Sequence, residues 1–219
     1  MAGARVHSRM STLETLRESG VVAVLRGAES ETVVDTARAL VEGGVTALEV
    51  TADTDGSAEM IRTLSAELDD DVLVGAGTVL DAATAQSAIA AGAEFVVSPS
   101  FHEDVVATCN RYGVLVAPGV MTPTEAVEAY EAGADVVKVF PATTLGPDHV
   151  AAMKGPLGQI PMLPTGGVSP DNAGAYVEAG AVAVGAGSAL VDREAVEAGE
   201  FGAITERART FRGVIEDAR

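Results

Sequence analysis

ADVVKVFPA, residues Ala134–Ala142, reads as a β-strand from Asp135 to Val139 that Pro141 stops. Its core is valine apart from one lysine, and strands of a parallel sheet covered on both faces have this look. An ammonium inside such a strand loses its hydration, which is costly. The chain has only two lysines, Lys138 and Lys154, so Lys138 is no by-product of a lysine-rich composition. Taken by itself, the stretch allows a lysine that snorkels outward, one paired with a carboxylate, or an amine held partly neutral for chemistry.

The same strand-then-helix unit repeats on both sides of this stretch. Strands are expected at 21–25, 46–50, 72–76, 94–98, 114–117, 135–139, 161–163 and 182–186. Helices are expected at 31–42, 57–68, 82–91, 103–112, 124–132, 147–153 and 170–179, with 192–198 and 201–217 closing the chain. The segments EGGVT, AAGAE, EAGAD and EAGAV recur between a helix and the next strand. Each reads as a helix C-terminus with glycine in the left-handed conformation. Alternation at this period predicts a parallel sheet with helical crossovers, and eight units predict a closed (β/α)8 TIM barrel. A doubly wound sheet is the competing architecture, but no GxGxxG follows the first strand. No linker or composition shift divides the chain. Residues 1–10 read as a tail, and 11–219 as a single domain that opens with a short helix at 11–19, capped by Ser11 or Thr12.

Composition narrows the function. A chain of 219 residues with 47% hydrophobic content has ample material for a core. The formal net charge of −18 argues against nucleic acid and against an anionic membrane surface. The acids are scattered over helices, as on a solvated surface suited to high salt, so a halophilic source is an expectation. Cys109 is alone and no apolar leader is visible, which points to a reducing cytoplasm. The histidines His7, His102 and His149 form no HxH or HExxH pattern, so no metal is expected.

In a barrel, chemistry collects at the C-terminal ends of the strands. The polar residues there are Arg26, Glu49, Asp53, Thr78, Ser98, Lys138 and Thr165. Glu49 and Lys138 are the informative pair, because each lies in an otherwise apolar strand near one mouth. If both point inward they are either an ion pair, or a nucleophile with its general acid/base. A neutral amine adds to a ketone and yields an iminium, which draws electrons from the adjacent carbon. The loops PTGGVSPDN and GAGSAL, after the last two strands, expose backbone N–H groups at helix starts and form a candidate phosphate cradle.

Taken together, EVT, GAGTV, SP, APGVMTPTE, KVFPA, PTGGV and VGAGSAL, in this order from Val21 to Val191, resemble the class I aldolases that cleave 2-keto-3-deoxy-6-phosphogluconate, including the bifunctional 4-hydroxy-2-oxoglutarate forms. The resemblance implies a homotrimer of TIM barrels that needs no metal or organic cofactor. It implies Lys138 as the Schiff-base lysine and Glu49 as the acid/base. Thr78 would help hold the pyruvate carboxylate, Pro99 and Phe140 would wall the pyruvate pocket, and Thr165 would face the hydroxylated part of the substrate. Gly166, Gly167, Gly187 and Ser188 would bind the phosphate. Many members of that family carry an arginine four residues after the glutamate. Here that position is Asp53, and Arg26 is the expected replacement as carboxylate ligand, with a rim salt bridge as its other reading. The galactonate epimer and 4-hydroxy-2-oxoglutarate are alternative substrates. A phosphate-binding isomerase or epimerase on the same barrel is the alternative of a different class, and a non-catalytic binding protein is a further one.

Overall fold

A computed structural model describes residues 8–219. Its strands are β1 (Val21–Leu25), β2 (Ala47–Thr51), β3 (Leu73–Gly77), β4 (Phe95–Val97), β5 (Leu115–Ala117), β6 (Gly119–Val120), β7 (Val137–Val139), β8 (Met162–Pro164) and β9 (Val184–Ala186). The helices are α1 (Arg9–Ser19), α2 (Val33–Glu42), α3 (Ser57–Glu67), α4 (Ala82–Ala91), α5 (Glu103–Tyr112), α6 (Pro123–Glu131), α7 (Ala142–Lys154), α8 (Pro170–Glu178), α9 (Arg193–Glu197) and α10 (Phe201–Asp217). Strand and helix alternate as the sequence predicts, and every strand pair is parallel.

The single eight-stranded sheet expected from the repeats is instead two sheets. Six strands pair in the order β5-β4-β3-β2-β1-β9, and three in the order β6-β7-β8. The fifth predicted strand ends at Pro118 as expected, since proline has no N–H to give to a ladder, but a further short strand, β6, follows it directly. β5 pairs with β4 on one side of this proline, and β6 pairs with β7 on the other. The two sheets also approach between β8 and β9, through an isolated parallel bridge from Thr165 to Gly185.

Side chains alternate across each strand, so residues two apart share a face. One face of both sheets gathers Val22, Ala47, Leu73, Phe95, Val97, Leu115, Ala117, Leu163 and Ala183, together with Val136 just before β7, into a single apolar cluster. The other face packs under the helices in a larger cluster. α1 seals the first cluster from the N-terminal ends of the strands. Its Leu16 is fully buried in that cluster, with Leu13 beside it.

Among the boundaries that differ from expectation, three have a visible physical cause. The opening helix starts at Arg9 rather than Ser11, because the Ser8 hydroxyl accepts the Ser11 N–H and caps it. Residues 1–7 of the expected tail lie outside the described residues. The lysine strand starts at Val137 rather than Asp135, whose carboxylate accepts the Val116 N–H at 2.9 Å and pairs with Arg9 of α1. The helix after it starts at Ala142, five residues early, because a first turn precedes a break at Gly146 (φ 75°, ψ 168°). The sequence pattern predicts only the part that begins at Pro147.

Candidate active site

The period of two places the candidate residues. Glu49 and Thr51 follow Ala47 on the clustered face of β2, and Lys138 follows Val136 in the same way. Thr165 follows Leu163, and Gly185 and Gly187 follow Ala183. Pro99 follows Val97, and Gly119 follows Ala117. Apolar residues thus fill the N-terminal half of this face and polar or small residues fill the C-terminal half. The register puts Lys138 beside Gly119 on one neighbour and Leu163 on the other, and Glu49 beside Val24 and Gly75.

Glu49 is 2% exposed and Lys138 5% exposed. Among the described residues no ion pair or hydrogen bond joins them, so the burial of each is not offset by direct contact with the other. Burial pushes the Glu49 carboxyl above the usual carboxylate range; Lys138 and Arg26 pull it back and Asp53 adds to the rise. Burial also holds the Lys138 amine below the usual lysine range; Glu49 opposes this and Arg26 reinforces it. Both shifts raise the neutral fraction of these groups, which is what an attacking amine and a proton-transferring carboxyl need. The Lys138 Nζ lies 4.9 Å from the centroid of the Phe140 ring.

A close approach fixes where Glu49 points. A Cβ placed on Gly77 would lie 1.7 Å from the Glu49 Oε1. The carboxylate therefore lies against bare backbone at the end of β3, and only glycine leaves that space. Thr78, the next residue, is the one non-glycine with positive φ (55°) among the described residues. Its hydroxyl accepts a hydrogen bond from Arg26 Nη2 at 3.0 Å, while Arg26 Nη1 pairs with Asp53 at 2.6 Å. Arg26 and Asp53 are both about half exposed. Arg26 therefore does form the rim salt bridge that was its alternative reading, and it also reaches along the rim, past the end of β2, to Thr78.

The loops after β7 and β8 are stitched together. Ala142 donates to the Thr165 carbonyl at 2.8 Å and Thr143 to the Gly166 carbonyl at 3.0 Å. The buried Tyr176 hydroxyl donates to the Ala142 carbonyl at 2.8 Å. Gly166 (φ 98°) and Gly167 (φ 72°) take the left-handed conformation that lets this loop turn toward α8. Gly187 is half-buried and Ser188 exposed at the matching loop after β9.

Sequence reasoning missed Thr51 and Gly77 as parts of the site. Thr51 is fully buried, and counting two residues on from Glu49 would have found it. Ser98 is buried with no hydrogen-bond partner for its hydroxyl, but it falls on the opposite face from Pro99. His102 and Cys109 are accounted for by their local surroundings. The ring of His102 is engaged with the Ser100 hydroxyl at 2.9 Å. The thiol of Cys109 is buried and pushed up to about 12, which leaves it inert.

Residues 13–207 match the family model described as "Aldolase: KDPG and KHG aldolase". The chain belongs to this aldolase family. Within it, the chain is 41% identical over 197 residues to the 2-dehydro-3-deoxy-phosphogluconate aldolase of Treponema pallidum (strain Nichols), covering 90% of this chain and 93% of that relative. It is 32% identical over 188 residues to the 2-dehydro-3-deoxy-6-phosphogalactonate aldolase of Escherichia coli (strain K12), covering 83% and 92%. The structure of the aldolase from Legionella pneumophila with pyruvate captured as a covalent carbinolamine superposes with a TM-score of 0.85 at 30% identity, covering 91% of this chain and 97% of that one. Family membership agrees with the resemblance read from the motifs.

Proposed function

We propose that the protein is a Schiff-base aldolase that reversibly cleaves 2-keto-3-deoxy-6-phosphogluconate to pyruvate and glyceraldehyde 3-phosphate. The observation that carries this is the buried, unpaired Lys138 on the same inner face and at the same mouth as the buried Glu49. The neutral amine of Lys138 attacks the C2 ketone to give a carbinolamine. Glu49, directly or through water, supplies the proton with which hydroxide leaves as water, and an iminium forms. Glu49 as carboxylate then takes the proton of the C4 hydroxyl. The C3–C4 bond breaks, its electrons pass to the iminium as an enamine, and the aldehyde departs. Protonation at C3 and hydrolysis release pyruvate and restore the lysine.

The other residues take supporting roles. Arg26 and Thr78 receive the keto-acid carboxylate, and Pro99 and Phe140 wall the pocket. Thr165 faces the hydroxylated carbons, and Gly166, Gly167, Gly187 and Ser188 cradle the phosphate. The same reading takes the first helix to the C-terminus as one domain and closes the two sheets into one eight-stranded barrel. The Asp135 N–H bond to the Val116 carbonyl of β5 at 3.1 Å and the bridge from Thr165 to Gly185 support that closure. A homotrimer and a place in Entner–Doudoroff-type sugar-acid breakdown follow from the family resemblance, and a cytoplasmic setting from the lone Cys109.

Reductive trapping tests the chemistry. Pyruvate and borohydride should convert Lys138 to a carboxyethyl-lysine that peptide mass spectrometry locates, and Lys138→Met should abolish it. An adduct only on Lys154, whose Nζ donates to the carbonyls of Gly158 and Ile160, would overturn the assignment. No adduct at all, on folded protein, would instead favour a phosphate-binding isomerase or epimerase.

A further inference from the structure

We propose that Asp53 is a positioning residue that holds the Arg26 guanidinium on the rim over the end of β2, ready for the keto-acid carboxylate. The proposal rests on Arg26 being the carboxylate ligand. Arg26 is a long side chain on the rim, 59% exposed, and a free arginine there would sample many rotamers. Instead Nη1 is bound to Asp53 at 2.6 Å and Nη2 to the Thr78 hydroxyl at 3.0 Å. The guanidinium thus spans from the end of β1 over the loop after β2 to the end of β3.

Asp53 can serve as a post because its own loop is pinned. It lies in a turn closed by the Thr54 N–H to the Thr51 carbonyl at 3.0 Å. The hydroxyls of Thr51 and Thr54 meet at 2.9 Å. The Gly27 N–H donates to the Thr54 hydroxyl at 3.1 Å, which ties the turn to the loop after β1. The Ala52 N–H donates to the Gly77 carbonyl at 2.7 Å, which ties it to β3. These bonds hold the backbone on both sides of Asp53. Partial burial works to raise its carboxyl, but hydrogen bonding with Thr51 and the Arg26 charge outweigh this and keep it ionised below the usual range.

The opposite role would be a competitor, in which Asp53 occupies the arginine and substrate must displace it. The geometry speaks against this. Of the five N–H donors of a guanidinium, Asp53 and Thr78 use one each, so three remain for an incoming carboxylate. An exposed ion pair is also worth little in water, so it competes weakly with an incoming carboxylate, whereas fixing the side chain in advance lowers the entropy cost of binding. The held cation also acts on Glu49 and Lys138 alike, which places it within electrostatic reach of the reacting groups.

The test is a double-mutant cycle read in steady-state kinetics of pyruvate release, with borohydride trapping at saturating pyruvate as the control for an intact Lys138 site. Arg26→Ala should raise KM about 10- to 100-fold, the value of a charge-assisted hydrogen bond to substrate. Asp53→Ala should raise KM about three- to tenfold with kcat changed by less than about twofold, as expected for unfreezing one long side chain. The double variant should match Arg26→Ala alone, because Asp53 acts only through the arginine. An unchanged or lowered KM in Asp53→Ala, or an effect that persists in the Arg26→Ala background, would overturn the positioning role and leave the aldolase reading standing. An unchanged KM in Arg26→Ala would remove the carboxylate ligand and the positioning role together. Absence of the Lys138 adduct in the unaltered protein would mark the failure of the aldolase reading itself.

Discussion

Lys138 and Glu49 each oppose the ionisation they would have in water, and the sign of each influence can be tested. Burial favours the neutral amine; Glu49 favours the ammonium and Arg26 disfavours it. If Lys138 is the nucleophile as proposed, only its neutral amine attacks, so the rate of imine trapping should fall as pH drops through the Lys138 pKa. Glu49→Gln removes the charged neighbour that stabilises the ammonium, so this acid limb should move to lower pH. The same variant should lose about 10²- to 10⁴-fold in aldol turnover, the usual worth of a positioned acid/base. Trapping with cyanoborohydride across a pH series measures the first effect and steady-state kinetics the second. An acid limb that moves to higher pH would mean that Glu49 does not stabilise the Lys138 ammonium. The inward face was legible because Glu49 and Lys138 stand out in apolar strands at a period of two. The Arg26–Asp53 pair was legible only as alternatives, since these residues lie 27 apart in the chain. Gly77 was not legible as a site residue. A glycine in a strand signals space for something, and only the structure shows that this something is the Glu49 carboxylate.

At the scale of elements, the repeats made the alternation readable, while the ends of the elements follow from tertiary bonds that no local pattern carries. Asp135 looked like strand because its neighbours are valines, yet it serves the Val116 N–H and Arg9 instead. The break at Pro118 was visible only as a strand stop, because the partner change between β5 and β6 needs the neighbouring strands in place. α1 is the clearest case. Its mostly polar sequence gives little sign that Leu16 fills the base of the inner cluster and Arg9 reaches Asp135 and the Gly133 carbonyl. The floor under Lys138 and Glu49 is this cluster, so α1 supports the site from the far end. Leu16→Ala should cost about 2–5 kcal/mol by transfer and cavity terms together. Urea denaturation should show the loss as a lower midpoint with the slope unchanged. A cost well under 1 kcal/mol would mean that α1 rests on the sheets without sealing them.

For the whole molecule, the governing quantity is the net charge of −18. The arginines are largely committed to local ion pairs. Arg38–Glu67, Arg62–Glu59, Arg193–Glu197 and Arg209–Glu42 all lie with both side chains half exposed or more. Such pairs are worth about 0–1 kcal/mol each, so salt removes little by screening them. The excess acids repel one another over longer distances, and these interactions vanish first as the Debye length falls from about 10 Å at 0.1 M to about 3 Å at 1 M. Relief of repulsion should therefore outweigh loss of pairs, and the protein should be more stable in molar KCl. Melting should shift upward by about 2–4 °C for each kcal/mol of repulsion relieved. Screening is nearly complete by about 1 M, so the rise should level off there, whereas exclusion of salt from the surface would keep it climbing. A calorimetric series from 0.1 to 3 M KCl separates these cases. A melting temperature independent of salt would remove the basis for a halophilic source, because the acidic surface would then carry no cost that salt relieves.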